Sequence, residues 1–186
     1  MKLPKAQKTD LDRDDYVCNV IVRKRKLRYI SSGAFASVYG RKDYNRVVKV
    51  GHGDDNYLEY VKLVGLRNPN IHLPTIYKVE LFKVRNHWGD FDTYYSVEME
   101  RLIPYEKVGE RKHKKAHTKF KQQLGIPYIE YMESPEDMYP STKHGKQVQK
   151  ILDRVFDRGS TDLHDGNIMW RKRGRGYELV ITDPVS

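Results

Sequence analysis

One cysteine, Cys18, stands in a chain of 186 residues. An intrachain disulfide is therefore impossible, and a cysteine-built zinc site would begin with a single ligand. A reducing, cytoplasmic setting is the default expectation. No apolar run approaches the roughly 18 residues of a membrane span. The opening "MKLPKAQKTDLDRDD" has no apolar stretch of the kind a secretory signal carries, so no membrane association is expected. Internal repeats and low-complexity tracts are missing, which argues against a solenoid or array. There is no HExxH helix. His113, His117 and His144 fall in basic or loop-like runs, where a solvated or hydrogen-bonded ring is the ordinary role.

Positive charge, by contrast, is abundant. Lys and Arg number 35 against 25 Asp and Glu, a formal charge of +10. Such a balance favours polyanionic partners: nucleic acid, nucleotide phosphates or an acidic protein surface. Simple solubility explains many surface lysines equally well. The length fits one domain, or one domain with a short extension, and suffices for a buried core.

Along the chain, residues 1–15 are polar, with a helix start near Asp10. Residues 16–30 are ambiguous, but Leu27, Tyr29 and Ser31 alternate into a glycine turn, as a strand would. "SVYG" reads as the return strand and "RVVKVG" as a third, ended by Gly51 and Gly53. "DDNYLEYVKLVGL" has helical spacing, with Leu58, Val61 and Leu66 on one face. "PTIYKVELFKV" and "DTYYSVEMERL" are two further strands about the turn-like "RNHWGDF". The basic "GERKHKKAHTKFKQQLG" predicts a helix, and "PYIEYMESPEDMYPSTKHG" a proline-broken loop. "KQVQKILDRVFDRG" predicts a long amphipathic helix with Val148, Ile151, Leu152, Val155 and Phe156 inward, closed by Gly159. "ELVIT" reads as a buried strand.

Several fragments carry chemistry. In "YISSGAFASVYG", Gly33 sits between Ser32 and Ala34, small enough for backbone N–H groups to approach phosphates. Phe35 can cover the tip and Val38 a flat base; an ordinary hairpin accounts for the same residues. Lys49 interrupts "VVKV" and faces away from Val48 and Val50. It is either an exposed strand lysine or one aimed at phosphates, with Glu59 the candidate carboxylate beside it. Glu59 has a competing partner in Lys62, three residues on. In "STDLHDGNIMW", Asp162 can orient an attacking hydroxyl and accept its proton. The Asn167 amide oxygen suits magnesium, and Asp183 can bridge metal to phosphate. His164 and Asp165 also permit a metal-hydrolase reading.

The order of these parts is more telling than any one. Glycine hairpin, strand lysine, helix glutamate, paired strands, long helix, Asp-x-x-x-x-Asn, strand and aspartate follow the linear order of the protein-kinase-like fold. "SSGAFASVY" resembles a degenerate kinase glycine-rich loop, with Ser31 and Ala36 in place of two glycines. "VVKV" resembles the strand of the ATP-binding lysine. "VEMERL" is similar to the run into the kinase hinge, which would set Met99 at the back of an adenine pocket and Glu100 to Leu102 along its edge. "DLHDGN" resembles the catalytic loop of aminoglycoside-phosphotransferase-like and atypical kinases. Together with "ITDPVS", it looks most like the early serine/threonine protein kinases of T-seven-like lytic bacteriophages.

The resemblance spans roughly residues 27 to 186 and implies an α+β, two-lobed fold. Residues 1–26 would be an N-terminal extension, 27–103 a β-rich lobe, and 104–186 a truncated, mainly helical lobe. It implies transfer of the ATP γ-phosphoryl group, with Mg2+, to Ser or Thr of host bacterial proteins and to the kinase itself, suppressing host functions. Transcription or RNA-processing machinery would be among the targets. Asp162 would be the base, Lys49 the phosphate contact, and Asn167 and Asp183 the metal ligands. Ser32, Gly33, Ala34, Phe35, Val38, Glu59, Met99, Glu100 and Leu102 would surround the nucleotide.

The pattern departs from the family at Thr161, Pro184 and Val185. Three residues follow Asp183, so no activation segment is expected in this chain. Two other readings fit the charge: a kinase-like protein that inhibits a host factor through its basic surface, and nucleic-acid binding through residues 111 to 121.

Overall fold

The computed structural model describes residues 1–33, 36–108, 114–126, 138–157 and 165–184. It is a mixed α+β structure built on two sheets. The larger sheet has six strands in the order β1-β5-β6-β4-β3-β2. They are β1 (Gln7–Lys8), β2 (Arg28–Ser32), β3 (Ala36–Gly40), β4 (Arg46–His52), β5 (Ile76–Arg85) and β6 (Phe91–Glu100). All neighbours are antiparallel except β1, which joins β5 in parallel. The smaller sheet orders β7 (Ile103–Pro104), β8 (Ile168–Arg173) and β9 (Gly176–Ile181).

The N-terminal residues are tied into this sheet. Helix α1 (Arg13–Asp15) is capped by the Asp12 carboxylate, which accepts from the Asp15 N–H. It continues as a π-wound helix over Tyr16–Arg23. Val17 and Ile21, four residues apart, bury one face of it against Leu27, Val48, Val50, Phe82 and Val84. The ambiguous run 16–30 thus divides into a helix followed by strand β2.

β4 does not end at Gly51. It runs to His52, because Gly51 pairs with Ala36 on one side and Tyr95 on the other. A Cβ on Gly51 would lie 2.3 Å from the Tyr95 hydroxyl oxygen, so glycine here makes room for a ring rather than a turn. Helix α2 (Tyr57–Val64) buries Leu58 and Val61 as the spacing predicts. Leu66 lies beyond it, half exposed, because Gly65 at φ 76° turns the chain away.

In the C-terminal half, α3 (Tyr105–Val108) precedes α4 (Lys114–Leu124), which buries Phe120 and Leu124. Helix α5 (Lys143–Phe156) is capped by the Thr142 hydroxyl, which accepts from the Gly145 N–H at 3.1 Å. Val148, Ile151, Leu152 and Val155 are buried, whereas the predicted fifth position, Phe156, is exposed. Gly159, expected to close α5, lies outside the described residues.

This half is less purely helical than expected. β8 was not foreseen, since "IMWRKR" mixes apolar and basic residues. It forms because it pairs with β9 along its whole length, from Ile168↔Ile181 to Arg173↔Gly176. One continuous core joins α2, α4 and α5 to residues of both sheets, including Tyr95, Val97, Trp170, Leu179 and Ile181. Among the described residues, no helix is long and apolar enough to cross a membrane.

Candidate functional site

A cavity of about 470 Å³ lies where the β2–β3 hairpin, β4, the end of β6 and the β8–β9 sheet meet. That is the volume of a small-molecule site. Val38 and Val47 line it from the larger sheet and Met169 from the smaller. A flat group inside therefore has apolar side chains from both sheets. Gly33, Met99, Glu100 and Leu102 also line the cavity.

Lys49 is not an exposed strand lysine. Val48 and Val50 pack into the core with the N-terminal helix, so the alternation of β4 turns Lys49 to the cavity face. Its ammonium contacts the Asp183 carboxylate and lies 3.4 Å from the centroid of the Tyr57 ring. Asp183 follows β9, 134 residues away in the chain. Only the tertiary fold brings the two together.

Asn167 closes a single 3-10 turn, Asp165–Asn167, just before β8. Its carbonyl accepts from the Thr182 N–H at 2.8 Å and from the Thr182 hydroxyl at 2.9 Å. Those two bonds hold the residue before Asp183 against Asn167, and both Asn167 and Asp183 line the cavity. An amide oxygen and a carboxylate are hard donors, a set that suits magnesium. Among the described residues, no three His, Cys, Asp or Glu side chains gather as a metal-binding group. Among the described residues, Asn167 and Asp183 are the two groups of this set that line the cavity and could hold a cation.

The remaining candidates fall in different places. The Glu59 carboxylate pairs with Lys62 at 3.0 Å, the surface alternative, and the carboxylate on Lys49 is Asp183 instead. Ser32 is exposed and accepts from the Tyr29 hydroxyl at 2.9 Å. The Glu100 side chain is drawn away from any ligand: it pairs with Arg171 and accepts from the Thr75 N–H at 2.7 Å. Its own N–H donates to the Thr75 carbonyl at 3.0 Å, and the Arg101 N–H to that of Asn45 at 2.8 Å. Ala34, Phe35, Asp162 and His164 lie outside the described residues, as does the side chain of Asp165.

Asp55, Tyr57 and Thr182 line the cavity without having been foreseen. Asp55 Oδ1 accepts from the Tyr57 N–H at 2.9 Å, and Oδ2 from the Tyr95 hydroxyl at 2.8 Å. Burial raises the Tyr95 hydroxyl pKa, and the Asp55 charge raises it further, so Tyr95 stays a donor. Burial likewise holds Tyr57 well above the usual range, with Asp183 and Asp55 adding to the effect. One signal was available in advance. Residues two apart on a helix point roughly 200° from each other, so a Glu59 paired along the helix with Lys62 leaves Tyr57 on the other face.

No protein-family model matches this chain, and no curated protein sequence matches it.

Proposed function

We propose that this protein is an ATP- and Mg2+-dependent protein kinase with a minimal, two-lobed, kinase-like architecture. Its substrates are Ser or Thr residues of host bacterial proteins and of the kinase itself, as in the early kinases of T-seven-like phages that its motifs resemble. The observation that carries this reading is the meeting of Lys49, Asn167 and Asp183 in one cavity with apolar walls from both sheets. Phosphoryl transfer depends mainly on positioning and on neutralising charge. Lys49 supplies a fixed cation, and Val38, Val47 and Met169 supply the surfaces for a base. Magnesium on Asn167 and Asp183 would neutralise phosphate charge. Asp162, by its motif position, takes the proton of the acceptor hydroxyl.

The test is incubation with γ-labelled ATP and Mg2+, reading label on the protein itself and in host extract. Label is expected with the wild type and its loss with Asp162→Ala or Asp183→Ala. Label that survives both substitutions refutes the assignment.

A second reading, inhibition of a host factor by surface binding, is favoured by α4. This helix buries Phe120 and Leu124 and leaves Lys114, Lys115 and Lys119 exposed. It predicts capture of an acidic partner that weakens with salt and is indifferent to Asp162→Ala.

A further inference from the structure

We propose that Tyr57 is the positioning residue for Lys49, filling through its ring face the place that the sequence offers to Glu59. The inference rests on the kinase reading only for its catalytic consequence; the placement of Lys49 stands on geometry.

The Lys49 side chain is nine-tenths buried, and an ammonium there needs compensation. Among the described residues, two groups meet it: the Asp183 carboxylate and the face of Tyr57, 3.4 Å from ammonium to ring centroid. The negative face of an aromatic ring attracts a cation, and more strongly when water is excluded. The two contacts differ in what a ligand can do to them. Asp183 is a candidate metal ligand, so its hold on Lys49 weakens whenever a cation claims the carboxylate. Tyr57 coordinates nothing, so its hold persists.

The residue is itself held at its backbone and on three sides of its ring. The Tyr57 backbone N–H donates to Asp55 at 2.9 Å, and the ring's hydroxyl donates to the Met99 sulfur at 3.4 Å. The Tyr60 and Tyr95 rings flank it at centroid distances of 6.0 and 5.7 Å. Tyr95 is anchored in turn on Asp55 at 2.8 Å. The chain Gly51–Tyr95–Asp55–Tyr57–Lys49 therefore forms one brace. It sets the lysine through packing of the α2 N-terminus on β6, and among the described residues no carboxylate of α2 pairs with Lys49.

The experiment replaces Tyr57 by phenylalanine and by increasingly fluorinated phenylalanines, which keep the ring's shape while draining its negative face. Phosphoryl transfer and the NMR signals of lysine labelled with carbon-13 at the ε position are both read, with Lys49 assigned by Lys49→Arg. The wild type is expected to show one lysine ε-methylene shifted upfield by the ring, absent in Lys49→Arg. Tyr57→Phe keeps the ring face, so the upfield lysine signal persists, and it serves as the reference against which the fluorinated rings are read. Full fluorination lowers kcat by about tenfold, with KM for ATP changing less, as loss of an interaction felt mainly in the transition state would do. A flat response to fluorination, or no upfield lysine in the folded wild type, overturns the proposal. If the upfield signal is present and fluorination moves it while no variant transfers phosphate, the brace stands and the kinase reading falls.

Discussion

Arg171 on β8 grips Glu100 at the end of β6, with its Nε donating to Oε2 at 2.8 Å and a second nitrogen donating to Oε1. The same guanidinium donates to the Ile71 and Leu73 carbonyls, each at 2.8 Å. One buried side chain thus ties the smaller sheet to the larger and to the loop entering β5. Burial alone would lower the Arg171 pKa, but Glu100, with Glu178 adding to it, holds it raised.

Breaking that pair strands a buried charge. Arg171→Ala or Glu100→Ala is expected to cost about 3–5 kcal/mol in urea unfolding. The double substitution Arg171→Met with Glu100→Leu should recover much of the loss, since no charge is left unpaired. A double variant that loses as much as Arg171→Ala, beside a Glu100→Ala that loses little, would show that the carbonyl bonds, not the ion pair, hold the sheets together.

Gly51→Ala tests the brace from its far end. The new Cβ would lie 2.3 Å from the Tyr95 hydroxyl oxygen and 2.5 Å from the ring carbon that bears it. Overpacking of this kind costs about 1–3 kcal/mol. Tyr95→Phe should not rescue it, because the ring carbon stays in place. A Gly51→Ala protein as stable as the wild type would mean the ring moves freely.

His72 gives the stability a pH dependence. It is buried between Leu179, whose carbonyl faces Nδ1 at 3.1 Å, and Gln123, whose Oε1 faces Nε2 at 2.7 Å. Phe120 covers the ring edge-on. Burial lowers its pKa against the opposing effects of Leu179, Gln123 and Glu178, and His144 adds to the lowering. Below the ordinary histidine value of about 6.5 the unfolded chain takes up a proton that the folded chain resists. The His72 contribution is therefore complete above that pH and declines as pH falls toward the folded pKa. His72→Gln should lose less stability than the wild type between roughly pH 7.5 and 5.5, measured by urea midpoints. Parallel losses would exclude His72 as the source.

The strands and helices were largely legible because alternation and helical spacing are local. β8 escaped notice because Arg171 and Lys172 look like solvent residues in sequence. Arg171 is inside only because Glu100, 71 residues away, meets it. Glu59 was drawn to Lys49 by spacing along the chain, yet the rotation of α2 turned Tyr57 inward and left Glu59 to Lys62.

Residue chemistry and motif order, both linear properties, were enough to mark Lys49, Asn167 and Asp183 as a set. They also showed that Lys49 faces away from Val48 and Val50, since strand alternation is a property of the backbone. What stands against Lys49 was decided by packing. The face of a helix that meets a sheet depends on the volumes it must fill, here the space Gly51 leaves for Tyr95, and no local pattern encodes that fit.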